Sequence, residues 1–493
     1  MAHRRFLALL IILCWTFPQG AAQIHSPVER RAFKALTSYT ELQQFLGTVN
    51  GLPGIAVRHV ARTKHGRNVS LVTVTSSPRP GSDTSKLRVM LFAQQHGDEP
   101  SGKEAMAVLL AKAARGELRQ ILEKVDLLVI PQMNPDGSEL RQRRTADSVD
   151  LNRNHVLLTS PETKALHDVF FQWLPEVTVD IHEYGSFSKD WSDYGFIKTA
   201  DVQLGMLTNL NTSPAIADLQ HRYISPFLAE HIKKKGYSFH EYIVGTPQEY
   251  IRHSTTEIND GRQSFGILGS VSFIQEGRKW STLEDQLRRR ALSQLAAVEA
   301  LLEYCAAHAA ELKRIVSEER ASLVRRAGHP VVIRMDHFAG NAEMVIPVRR
   351  IRDGMDTTWR ITDYRSEVRP QMSVSLPRYY IIERADSEIV ALLRRHHVAI
   401  DTLRSDTTLQ ATVYQVESLR NVVLEGDSVR EAFTTPCSTI ATLKPGDYLV
   451  STAQLQALFL GIVLEPQSQW GLVKYDHFAH LYNRQYYPIR RIP

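Results

Sequence analysis

Cysteine is almost missing from this chain: Cys14, Cys305 and Cys437 are all there is in 493 residues. So few thiols exclude a disulfide framework and a cysteine metal cluster. A single Cys305–Cys437 bridge and two buried free thiols stay open as alternatives. Dense blocks of positive charge are lacking too. Arg288-Arg289-Arg290 and Lys233-Lys234-Lys235 fall in helical patterns and read as solvated faces, so no nucleic-acid partner is implied. Long apolar runs are absent but for Phe6 to Phe17, which is too short to span a bilayer. With Arg4 and Arg5 before it and Gly20-Ala21-Ala22 after it, that run has the order of a secretory signal. Cleavage is expected after Ala22, giving a secreted or periplasmic chain with no stable membrane span. Removing Arg4 and Arg5 and no acid lowers the formal charge from +6 to +4.

What remains is an ordinary globular composition, 43% apolar and 23% charged. A chain this long exceeds one core, so two domains are expected. β-rich apolar runs at 70–74, 87–93, 125–130, 177–181 and 270–274 alternate with helical patterns at 102–114, 161–173 and 225–235. That alternation predicts an α/β fold with a mixed, largely parallel twisted sheet and helices on both faces. Residues 183–213 show little regularity and suggest a loop over a site. One or two helices are expected in 281–326. Beyond Gly328-His329-Pro330 short β-type runs take over, interrupted by a helix at 387–396, which predicts a smaller β-rich domain. The expected division is a signal at 1–22, an N-terminal part of, or lead-in to, the catalytic domain at 23–85, a catalytic domain with C-terminal helices at 86–327 and a β-rich accessory domain at 328–493.

The chemistry starts at His96-Gly97-Asp98-Glu99, just after the 87–93 strand, where Gly97 is expected to permit a turn that joins His96 to Glu99. Spacing alone proves little, since His308-Ala309-Ala310-Glu311 fits it inside an Ala-rich helical pattern and reads as structural. His182 closes the 177–181 strand and is a third candidate ligand, although such a histidine is as often a hydrogen-bonded core residue. His2Glu with an open fourth position is a catalytic zinc arrangement. Glu276, beyond the 270–274 strand, suits a general base that is not itself a ligand; a structural alternative is an ion pair with Arg278. Between these lies an Arg-rich segment from Arg143 to Asn154, able to clamp a carboxylate and stabilise an oxyanion. Arg141 and Arg144 read more readily as surface residues.

Taken in order, His96-x-x-Glu99, Asn134-Pro135-Asp136-Gly137, Asp150-Leu151-Asn152-Arg153-Asn154, His182 and Phe273-Ile274-Gln275-Glu276 resemble the motifs of the zinc carboxypeptidase superfamily over roughly residues 85–280. The resemblance implies one Zn2+ per chain on His96, Glu99 and His182, with Asp150 orienting a ligand histidine. It implies Glu276 as the base, Arg143 as the arginine that polarises the scissile carbonyl, with Arg144 one register away, and Asn152 with Arg153 as the pair holding the substrate's terminal carboxylate. The family's mobile tyrosine has only loose counterparts in Tyr242 and Tyr250. Gly261-Arg262-Gln263 resembles an element of a secreted bacterial branch, and Arg262 is expected to add an anion contact. The β-rich tail resembles that branch's accessory domain.

The expected function is therefore removal of a C-terminal residue from peptides. The same chemistry would serve cell-wall peptides or acylated amino acids. A reading of another class, a noncatalytic peptide- or glycan-binding protein, is opposed by the complete set of ligands, base and arginines.

Overall fold

The computed structural model describes residues 24–247, 250–424 and 427–493, and the signal expected at 1–22 lies outside them. The strands that frame the site are, in chain order, β1 (Ile55–Arg62), β2 (Asn68–Val74), β3 (Leu87–Ala93), β4 (Val125–Ile130), β5 (Val177–Gly185), β6 (Phe196–Lys198), β7 (Val202–Gly205), β8 (Phe239–Glu241), β9 (Ile243–Gly245), β10 (Ile251–His253) and β11 (Val271–Lys279). Eight of them form one mixed sheet in the order β1-β2-β4-β3-β5-β11-β7-β8. The centre, β4-β3-β5-β11, is parallel, while β2 joins β4 and β7 joins β11 antiparallel.

Strand periodicity explains why this sheet needs cover on both faces. β3 sends Val89 and Leu91 into one core and Met90 and Phe92 into another. β4 is buried at every position, as parallel strands between two layers are. The first core is closed by Ser101–Ala114 and Leu287–Ala307, through residues such as Leu109, Val298 and Leu302. Leu166 and Phe170 of the helix Pro161–Trp173 help to close the second. Val331, Tyr380 and Phe459, from beyond residue 328, complete that second layer.

Two expectations change. β5 continues to Gly185 and β11 to Lys279, so His182 and Glu276 lie within paired strands rather than at or past their ends. Their polar residues stay in the ladder because the two strands pair with each other from Val271–Val177 to Lys279–Gly185, a tertiary effect that hydropathy does not carry. Residues 183–213 are not one irregular loop: they hold the short helix Lys189–Ser192, β6 and β7. A four-residue strand with a buried Gln203 leaves too little pattern to read. The helical stretch near 281–326 resolves into Leu287–Ala307 and Ala309–Leu323, broken at His308.

From residue 328 the chain is β-rich, with Pro330–Phe338 paired to Glu367–Ser375 and a six-stranded sheet containing the long hairpin Thr407–Leu424 and Asp427–Leu443. The helix Ser387–Arg395 lies among these strands in sequence. Two of the strands pair with earlier ones: Val345–Arg350 with β6, and Tyr364–Arg365 with β10.

Candidate active site

The site is built where β3 stops. Gln94 turns the chain with a positive φ of 59°, so the left-handed residue is Gln94 and not Gly97. Its side chain secures the turn by donating from Nε2 to Gly97 O at 2.9 Å and Ser138 Oγ at 3.0 Å. Gly97 is required for a different reason. A Cβ there would sit 2.1 Å from the carbonyl carbon of Gly137. Asn134-Pro135-Asp136-Gly137 is thus the surface on which the ligand loop rests. Asn134 caps its short helix by accepting from Gly137 N at 2.8 Å, and its Nδ2 donates to Gln95 O at 3.1 Å and Arg143 O at 3.3 Å. One side chain therefore ties the His96 loop to the Arg143 segment.

His96, Glu99 and His182 converge as buried donors whose ligand atoms lie within 4.8 Å of one another. His96 Nδ1 is 2.8 Å from Glu99 Oε1, His182 Nδ1 is 2.9 Å from Glu99 Oε2, and the two Nδ1 atoms are 3.1 Å apart. The remote nitrogens face carboxylates: His96 Nε2 is 3.3 Å from Asp150 Oδ1, and His182 Nε2 is 2.8 Å from Asp180 Oδ1. Asp150 and Asp180 thus stand behind the two rings, and with a cation among the Nδ1 atoms and Glu99 they would take the ring protons on the Nε2 side. Two ring nitrogens and a carboxylate meeting in a buried place call for a cation, and two imidazoles with one carboxylate fit zinc with an open position.

β5 and β11 bring Glu276 beside this group, paired in register with His182. Its Oε2 is buried with no hydrogen-bond partner among the described residues. Arg278 does not neutralise it: Arg278 Nε donates to Ser186 Oγ at 2.9 Å, and the guanidinium stacks 3.9 Å from the Trp280 ring centroid. Burial pushes the Glu276 carboxyl up to about 7, the nearby Glu99 charge adding to the rise and the histidines opposing it. An unpaired carboxylate poised near neutrality is what proton transfer in both directions requires.

The structure also separates neighbouring arginines. Arg143 Nη1 lies 3.1 Å from His96 Nδ1 and its Nε donates to Asp150 at 3.0 Å, whereas Arg144 turns away to Ser148 O and Arg141 pairs on the surface with Glu284. Asn152 and Arg153 line the same open cleft of about 520 Å³, together with Arg262 and Tyr242. Asn152 Oδ1 accepts from Gly261 N at 2.8 Å, and Arg153 Nη1 donates to Asn152 O at 2.7 Å. Arg262 is fully buried against Asp260 at 2.9 Å, Ser254 and Thr255, with its Nε unpartnered among the described residues. Of the two tyrosines considered, Tyr242 is in the cleft, while Tyr250 carries the Arg365 guanidinium 3.7 Å from its ring centroid. Burial and the Glu276 charge raise the Tyr242 hydroxyl, which stays a donor.

Asp180 and Gln95 escaped the sequence reading. The signal for Asp180 was available, because residues two apart on a strand share a face and His182 was already a candidate. Gln95 carries no such mark. The second His-x-x-Glu pair is exposed at the helix break, with no third ligand among the described residues, and Cys305 and Cys437 are free.

A family model described as zinc carboxypeptidase matches residues 43–188. Carboxypeptidase 2 of Trichophyton rubrum is 27% identical over 417 residues, covering 80% of this chain and 75% of that protein. Carboxypeptidase 2 of Trichophyton tonsurans is 27% identical over 437 residues, covering 83% and 77%. Among solved structures, a metallo-carboxypeptidase from Burkholderia cenocepacia aligns with 54% of this chain and 68% of its own at 22% identity and a TM-score of 0.42. These likenesses, a zinc carboxypeptidase match over residues 43–188 and curated carboxypeptidases along most of the chain, mark this chain as an enzyme. It is a hydrolase of the metallocarboxypeptidase kind.

Proposed function

We propose that the protein is a secreted zinc carboxypeptidase that hydrolyses the C-terminal bond of peptides, with His96, Glu99 and His182 holding the metal. When bound, zinc would supply a Lewis acid that polarises the scissile carbonyl and acidifies water. Glu276 takes the proton of the attacking water and returns it to the leaving amine. Arg143 donates to the oxyanion that develops on the carbonyl oxygen. Asn152 and Arg153 hold the terminal carboxylate, and buried Arg262 adds an anion contact deeper in the cleft. Export rests on the signal-like residues 1–22, and no helix among the described residues is long and apolar enough to cross a membrane.

The observation that carries this reading is the unpaired buried carboxylate of Glu276 beside a three-donor metal group. Its test is a library of peptides with free or amidated C-termini, incubated with and without a chelator. The expected result is release of single C-terminal residues from free-acid peptides only, abolished by the chelator and restored by zinc. Internal cleavage, or turnover that ignores the chelator, overturns it.

A further inference from the structure

Behind the metal group runs a line of buried polar side chains that the hydrolytic steps leave unused. Asp180, whose Oδ1 faces His182 Nε2, accepts at Oδ2 from Gln95 Nε2 at 2.8 Å. Gln95 Oε1 lies 3.0 Å from His155 Nε2, and His155 Nδ1 lies 3.1 Å from His167 Nε2. None of Asp180, Gln95, His155 and His167 is more than 1% exposed, so bulk water completes none of these bonds.

The direction of every bond can be deduced. Gln95 Nε2 sits between two acceptors, Asp180 Oδ2 and, at 3.3 Å, Asn152 Oδ1, which Gly261 N already marks as an acceptor. A flipped amide would set oxygen against both. Gln95 Oε1 therefore faces His155, which must donate from Nε2. Burial pushes His155 down to about 4, so the ring is neutral and its Nδ1 accepts, with Ser264 Oγ 3.4 Å from the same nitrogen. His167 then donates from Nε2, and its Nδ1 ends the line with no partner among the described residues. At the other end, the line holds Asp180 so that its Oδ1 stands 2.8 Å from His182 Nε2, which Asn152 Nδ2 approaches to 3.3 Å.

We infer that Gln95 and His155 are positioning residues: a one-way hydrogen-bond line, His167 to His155 to Gln95 to Asp180, holds the Asp180 carboxylate against His182. The inference rests on His182 being a metal ligand. Outer partners of metal-bound histidines affect metal affinity by about 10–100-fold, and His155 lies two links further out, so the low end is expected.

The test compares His155→Phe, which removes the donor, with His155→Gln, whose amide can replace it. Zinc affinity is measured by chelator competition, with kcat, KM and thermal stability followed in parallel. The expected result is about tenfold weaker zinc binding and a lower kcat at unchanged KM in His155→Phe, with recovery to within about threefold in His155→Gln. Nitrogen-15 shifts of labelled histidines in the unmutated protein should show Nε2–H on His155 and His167, a reading that needs no variant to fold. Unchanged zinc affinity in a folded His155→Phe protein overturns the inference, as does an Nδ1–H tautomer at His155. A protein that binds zinc with these tautomers but cleaves no peptide overturns the proposed function alone.

Discussion

His96–Glu99 and His308–Glu311 share a spacing and nothing else. The first pair is buried at a strand's end, with His182 completing a group of three donors. The second straddles a helix break with side chains 44% and 53% exposed and an Nδ1–Oε2 distance of 3.4 Å. In water such a pair is worth about 0–1 kcal/mol and asks for no ion. In the buried pair, two ring nitrogens and a carboxylate converge out of water, where a cation would balance them. Spacing lets two ligands meet, but burial, a third donor and a carboxylate behind each ring turn the meeting into a site.

The comparison breaks most sharply by deleting one histidine from each pair. His96→Ala is expected to take zinc from about one ion per chain to about a tenth or less and to abolish hydrolysis, because two donors do not make a catalytic site. His308→Ala should leave metal content and rate within about twofold, as changes at exposed positions do. Elemental analysis and peptide turnover decide both.

Glu276→Gln sharpens the contrast between holding a metal and using it. Zinc should remain while kcat falls about 10²–10⁴-fold. The raised carboxyl of Glu276 also fixes the signs of two pH effects. Proton acceptance needs the carboxylate, so kcat/KM should fall on the acid side as Glu276 becomes protonated. A folded-state value above the ordinary 4.5 means that ionising Glu276 opposes folding, a cost that grows as pH rises from about 4.5 to 7 and then levels off. Metal-free Glu276→Gln protein should therefore be more stable than its parent at pH 8 and lose that advantage near pH 4, as thermal melts would register.

The smallest effect tests the residue after each histidine. Gly97→Ala drives a methyl into the Gly137 backbone and should cost about 1–3 kcal/mol, the usual range for overpacking. Ala309→Gly, at the start of the helix Ala309–Leu323, should cost about 1 kcal/mol. Equal losses in denaturant unfolding would remove the packing argument for Gly97.

The comparison also shows what a sequence can carry. β3, β4 and the helix Pro161–Trp173 were legible to the residue because their apolar periodicity is strong and their ends are marked. The ligands, Glu276 and the arginine segment were legible as residue types in order. The lengths of β5 and β11 were not, since the site's own polar residues interrupt the apolar pattern while the ladder continues. Nor was the role of Gly97, which depends on backbone 40 residues away in sequence. Gln95 and His155 were hidden for the same reason: each bond is local in space and remote along the chain, with sequence separations of 85 and 60.

Val345–Arg350 and Tyr364–Arg365 pair with β6 and β10, which flank the cleft-lining segments at 186–188 and 255 in sequence. Synthesis runs from the amino end, so a nascent chain that has just received Glu276 already carries every ligand, base and arginine proposed above. It still lacks the two strands that pair with β6 and β10. β6 and β10 find these partners only in a later stretch of polypeptide than the one that carries the chemistry.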